Sequence, residues 1–133
     1  MPNITITNND IGSVILEEGK FRDDALTFAG AATVIAGTIL ARDSVSLKLV
    51  PYVIGGSANE NGIPKAILTY DVTAAGAGDE QVRDMVSGSV CAERLVVNAD
   101  GDASNITAAI LDQLRDYSLV SIDVQELNIP DNQ

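Results

Sequence analysis

The sequence predicts an α+β fold: a single β-rich domain, built as a small barrel- or sandwich-like sheet of short strands, with one helix over residues 104–116 and a mobile arm at residues 1–10. Three observations carry that prediction. The chain holds 13 Val, 13 Ile and 8 Thr, so about a quarter of its 133 residues are β-branched and suit a pleated sheet better than a helix. Short alternating apolar stretches recur between clusters of Gly, Asn and Asp, which is the pattern of strands joined by turns. The period then changes once. Ile106, Ala109, Ile110, Leu114 and Tyr117 fall at helical spacing, and Asp102 or Ser104 is placed to cap that helix.

In chain order, Ile4-Thr5-Ile6-Thr7 alternates briefly and breaks into the turn-forming Asn8-Asn9-Asp10. An isolated alternating tetrapeptide at a terminus has little to hold it, so residues 1–10 are expected to form an arm and residues 11–133 the folded domain. Val14-Ile15-Leu16 reads as a short strand ending in a turn at Glu17 to Lys20. Leu26-Thr27-Phe28 reads as a second strand. Ala31 to Ala41 is almost wholly apolar or small, and reads as one strand covered on both faces or placed at a subunit contact, with a bulge or a close backbone approach at Gly37. Leu47 to Ile54 and Pro64 to Thr73 predict two further strands around the Gly-, Ser- and Asn-rich loop Gly55 to Gly62. Gln81 to Val97 places Val82, Val86 and Val90 on one parity, with Gly88 as the bend. Leu119 to Val124 predicts a last strand.

Composition excludes several chemistries. There is no His, which removes the commonest general base and metal ligand together. One Cys permits no intramolecular disulfide and no multi-Cys zinc site. Cys91, within Val90-Cys91-Ala92, reads as a small packed hydrophobe, and no serine has a His with which to build a triad. Asn98-x-Asp100-Gly101-Asp102-x-Ser104 has oxygen ligands at alternating positions, but Gly101 comes too early for a calcium loop and Ala109 stands where a bidentate Glu belongs. Neither a cofactor nor a metal is expected, and no enzymatic activity. A net charge of −11 opposes binding to a phosphate backbone. No basic segment followed by a long apolar run opens the sequence, and no apolar stretch reaches 18 residues, so neither a secretory leader nor a membrane span is expected.

What remains is an acidic, β-rich structural or interaction module, and its motifs point to a family. Gly37-Thr38-Ile39-Leu40-Ala41-Arg42-Asp43, Lys48-Leu49-Val50-Pro51-Tyr52, Gly62-Ile63-Pro64-Lys65-Ala66-Ile67-Leu68 and Val86-Ser87-Gly88-Ser89-Val90 occur in that order. Together they resemble the head decoration proteins of lambda-type tailed bacteriophages, over about Leu26 to Leu127. The resemblance implies a homotrimer bound to the major capsid protein on the outer surface of the mature virion, clamping the shell against internal DNA pressure. It also implies an N-terminal arm that orders on the capsid. The matching positions here are Pro2, Asn3, Ile4, Thr5, Ile6 and Thr7. The chain is longer between Asp10 and Arg22 than the short lambda-type chains, which leaves the end of the arm open.

Within the apolar run Ala31 to Ala41, Val34, Ile35, Gly37 and Ile39 are the candidates for a trimer interface. A second reading is a ligand- or carbohydrate-binding module of a phage or cell surface, with the loop Gly55 to Gly62 lining its site.

Overall fold

The structure, a computed structural model, describes residues 15–98 and 104–122. Eight strands run in chain order: β1 (Ile15–Phe28), β2 (Ala32–Val34), β3 (Ile39–Arg42), β4 (Leu49–Pro51), β5 (Ala66–Leu68), β6 (Val72–Ala74), β7 (Gly78–Cys91) and β8 (Leu119–Ile122). Among the described residues one α-helix, α1 (Ala108–Asp116), precedes β8. The main sheet has the order β1-β4-β3-β5-β7-β8, and β1 also pairs with β7, so β1, β4, β3, β5 and β7 close into a five-stranded barrel with β8 added outside it. Five is an odd number. A closed ring of five strands cannot alternate direction all the way round, so one neighbouring pair must run parallel. That pair is β1 and β4, through Leu26 and Leu49, whereas the other four barrel pairings are antiparallel.

Side chains alternate across the barrel wall, as the pleat requires. Leu26 and Phe28 of β1, Leu40 of β3, Leu49 of β4, Ala66 and Leu68 of β5 and Val82 of β7 belong to one apolar cluster. The small β2–β6 ribbon adds Val34, Val72 and Ala74 to it. The intervening residues Ile39, Ala41, Ile67 and Met85 belong to a second cluster, completed by Ile110 and Leu114 of α1 and by Leu119 of β8. Three consecutive residues of β5 are therefore buried, because its two faces meet two different cores.

The β-rich barrel with one short helix is the predicted class; several boundaries differ. The two strands and intervening turn expected over residues 14–28 are one continuous strand of 14 residues. Register shifts between Ile15 and Phe21 absorb the polar stretch that reads as a turn, because a bulge accommodates an extra residue without ending the pairing. The single strand expected over Ala31 to Ala41 is divided. Ile35 to Thr38 forms a turn in which Gly37 takes φ +91°, and β2 and β3 end in different sheets. Both the backbone N–H and the hydroxyl of Thr38 donate to the Ile35 carbonyl, at 3.2 and 2.7 Å.

The helix starts at Ala108 rather than 104. Thr107 caps it, its hydroxyl accepting the Ile110 N–H at 3.4 Å. Asp102 lies outside the described residues and Ser104 sits in a preceding turn. Gly88, the expected bend in β7, has φ +127°. The strand expected at 119–124 is present as β8.

Candidate interaction surfaces

Pro2 to Thr7 lie outside the described residues. Of the other sequence candidates, Val34, on the β2–β6 ribbon, is buried in the barrel cluster, and Ile39, on β3 of the main sheet, in the helix-side cluster. Gly37 is buried in the turn between them, and Ile35 is 36% exposed. The structure thus does not bring the four onto one surface. The loop Gly55 to Gly62 is closed on itself. A side chain on Gly62 would meet the backbone of Gly56, and Asn61 Oδ1 accepts the Ala58 N–H at 3.2 Å. Cys91 is buried. Burial, followed by the neighbouring Glu93 carboxylate, raises its thiol above the ordinary range, which opposes thiolate chemistry.

Asp84 has no exposed surface, although β7 is flanked there by apolar residues. Its parity is that of Val82, so it faces the barrel cluster. Asp24 shares the parity of Leu26 on β1, and Arg42 that of Leu40 on β3. The three polar groups therefore sit at the same end of the barrel. Arg42 donates to both carboxylate oxygens of Asp24, Nη1 to Oδ1 at 3.3 Å and Nη2 to Oδ2 at 3.1 Å. Arg22 lies 3.7 Å from the same carboxylate.

Among the described residues, no N–H or hydroxyl group is placed to donate to either oxygen of Asp84. A buried carboxylate without donors is costly, so this one holds its proton. Burial first, and the adjacent Asp24 carboxylate second, push Asp84 up to about 7. Burial also raises Asp24, but the Arg42 hydrogen bonds, the hydrogen bond shared with Asp84 and the charges of Arg42 and Arg22 outweigh it, and Asp24 titrates below its ordinary value. With Asp84 protonated, the one negative charge of the pair stays on Asp24, where Arg42 neutralises it. The sequence carried one sign of this: Asp84 interrupts the parity of Val82, Val86 and Val90.

The same Arg42 reaches the turn between β3 and β4, where its Nη1 donates to the Leu47 carbonyl at 2.8 Å. Asp43 organises that turn, accepting the Val45 and Ser46 N–H groups, both at 2.8 Å. Those bonds hold its carboxyl below the ordinary range. The Leu47 N–H donates to the Asp43 carbonyl, and the Asn59 side chain donates to Asp43 from the neighbouring loop. The turn presents Val45 and Leu47 to solvent, 76% and 64% exposed. Leu47 has φ +64°, a conformation that costs an ordinary L residue about 1–2 kcal/mol.

Beyond β4, at the far end of β1, lies a groove of about 410 Å³. Phe28, Val34 and Val50 line it together with Ala31, Ala32 and Pro51, and none of its lining residues is charged. Elsewhere the charges are interleaved. At least five of the eight Lys and Arg side chains pair with carboxylates, including Lys48 with Asp79, Arg83 with Asp23 and Arg115 with Asp112.

No individual curated protein matches the chain. A family model does, that of the bacteriophage lambda head decoration protein D, over residues 4–119. The match runs through all five barrel strands and α1 to the first residue of β8. The chain therefore belongs to the bacteriophage lambda head decoration protein D family, a family of structural proteins of the phage capsid.

Proposed function

We propose that the protein binds the outer surface of the mature head of a tailed phage as a homotrimer and holds the shell against the pressure of the packaged DNA. The family match over residues 4–119 carries this reading. The physical character of the body supports it. The barrel is small and closed, and its most exposed aliphatic groups stand on a braced turn.

Residues 2–7 serve as the capsid-binding arm. Ile4 and Ile6 lie on one face of any strand these residues form, and Thr5 and Thr7 on the other. Ordering each arm residue costs about 1–2 kcal/mol. Each backbone hydrogen bond gained by adding a strand to a capsid sheet edge returns about 0.5–1.5 kcal/mol net. A single arm is then marginal. Three arms on one trimer act through effective concentration, which raises avidity by about 10²–10⁴.

Deletion of residues 2–7 tests the reading directly. The truncated protein is expected to keep its circular dichroism spectrum and its trimeric mass, and to lose co-sedimentation with expanded heads. Normal decoration by the truncated protein would show that the arm is not the capsid contact.

A further inference from the structure

We propose that Asp84 and the Val45–Leu47 turn are the two ends of a proton-operated latch. With Asp84 protonated, Arg42 holds Asp24 and the Leu47 carbonyl together; when Asp84 ionises, Arg42 is drawn to it and lets the turn go. The latch lies within the barrel and does not depend on the capsid reading.

Its geometry starts from Asp84. The side chain is fully buried, and among the described residues no N–H or hydroxyl group is placed to donate to either of its oxygens. Such a group is tolerated as a neutral acid, and as a carboxylate it must find a donor. The strands around it offer few. β1 brings Arg22, its cross-strand partner, and Asp24. β3 brings Arg42, whose positive charge acts on Asp84. β5, paired to Asp84 through Leu68, and β6 bring no charged residue. On β7 itself Arg83 has the opposite parity and pairs with Asp23. Of the two arginines on the side of Asp84, Arg42 is the better placed. Its side chain is 25% exposed against 57% for Arg22, and it grips Asp24 through two hydrogen bonds, whereas Arg22 approaches that carboxylate only to 3.7 Å.

Arg42 cannot serve a second carboxylate without giving something up. Its Nη1 is divided between Asp24 Oδ1, at 3.3 Å, and the Leu47 carbonyl, at 2.8 Å. The bond to Asp24 joins opposite charges and the bond to Leu47 involves only one, so the carbonyl is the partner released. Leu47 is poised to respond, because its φ of +64° is a conformation that an ordinary L residue leaves when nothing holds it. A cavity of about 510 Å³, lined by both Asp24 and Leu47, gives the two ends of the latch room to move. The rest of the turn stays tied. Asp43 accepts the Val45 and Ser46 N–H groups, and Lys48 pairs with Asp79. Both carboxyls are held below their ordinary range by those bonds, so they remain ionised through neutrality. The release is therefore local, and it changes how the exposed Val45 and Leu47 are presented.

Nuclear magnetic resonance on the full-length protein between pH 5 and pH 8 tests the latch. The chain has no His, so no ordinary side-chain titration obscures this window. The carboxyl carbon of Asp84 reports its ionisation. Hydrogen exchange of the Leu47 amide, which donates to the Asp43 carbonyl, reports the turn once corrected for the intrinsic pH dependence of exchange. The expected result is one shared midpoint near 7, with the Leu47 amide losing protection as Asp84 ionises. In Asp84→Asn, neutral at every pH, that protection is expected to persist, and in Arg22→Gln the shared transition is expected to remain. An Asp84 that titrates while the Leu47 amide stays protected overturns the latch, as does an Asp84 that keeps one charge state throughout. A shared transition that vanishes in Arg22→Gln overturns the part given to Arg42. The wild-type titration decides the coupling even where a variant fails to fold.

Discussion

At the scale of single residues, Asp84 departs furthest from its surroundings. It stands on the inward parity of β7, opposite Arg22 of β1 and Leu68 of β5, with Asp24 and Arg42 as its polar company. Its folded state binds a proton far more tightly than its unfolded state, with about 7 against 3.8. The sign follows from that difference. The stabilisation from Asp84 is fully present below its unfolded value of 3.8 and is lost as pH rises through about 7. Asp24 acts in the opposite sense. Its pKa is lowered, so its contribution is present above 3.8 and is lost as pH falls through its lowered folded value. The pair alone therefore gives an optimum near the ordinary carboxylate range and a decline toward pH 8. Each tenfold change in proton affinity corresponds to about 1.4 kcal/mol, so the decline amounts to a few kcal/mol. Thermal unfolding between pH 5 and pH 8 measures it. In Asp84→Asn, the side chain is neutral at every pH and cannot ionise, so the alkaline decline is expected to flatten. An unchanged decline in that variant would assign the titration to other groups.

At the scale of elements, two local devices set boundaries that composition does not reveal. The Thr107 hydroxyl satisfies the first turn of α1, and Ile110 and Leu114 dock the helix on its core. Thr107→Ala is expected to cost about 1 kcal/mol in denaturant unfolding, with the helix retained because its apolar face still packs. Gly62 lies against the backbone of Gly56, which cannot move aside as a flexible side chain can. Gly62→Ala is expected to displace the 55–62 loop and lower stability. Gly30→Ala, where a side chain would meet nothing, is the control. Their difference in unfolding midpoint measures the close approach.

These devices show which features the sequence expressed. The helix was legible because Ile106, Ile110 and Leu114 repeat at the helical period, but its start was not, because Asp102, Ser104 and Thr107 are all competent caps. Barrel strands were legible as alternation. The continuity of β1 was not, since Glu17 to Lys20 has the composition of a turn and only pairing with β7 keeps it extended. The apolar run Ala31 to Ala41 suggested one interface strand. Apolarity does not distinguish a subunit contact from a core, and within the run Val34, Ile39, Leu40 and Ala41 serve the two cores whereas Ala31, Ala32 and Ile35 are exposed. The turn at 43–48 gave no signal, because the left-handed φ of Leu47 comes from bonds to Arg42 and Asp43 and not from its own preference.

At the scale of the whole molecule, charge and closure act on the same assembly. The barrel closes through 11 register pairs between β1 and β7, so the longest seam of the fold is also the one that holds the Asp24–Asp84 pair. Outside that seam the protein is a strongly acidic body, and a trimer carries three times −11, or −33. Like charge on this scale opposes assembly of the proposed trimer, and opposes its approach to the shell wherever the shell is also acidic, so that uncharged contacts must then supply the attraction. Salt then separates the possible sources of binding. Screening shortens the reach of exposed charges to about 10 Å at 0.1 M, which weakens repulsion between copies and leaves apolar contacts and backbone pairing nearly untouched. Trimer mass and head decoration, followed together from low to physiological salt, are therefore expected to hold or strengthen. A contact made by charge attraction would behave in the opposite way, because the same screening would release it. Decoration that falls with added salt while the trimer persists would place basic capsid groups against the exposed carboxylates. A trimer that dissociates on the same titration would show that ion pairs, and not uncharged contacts, join its subunits.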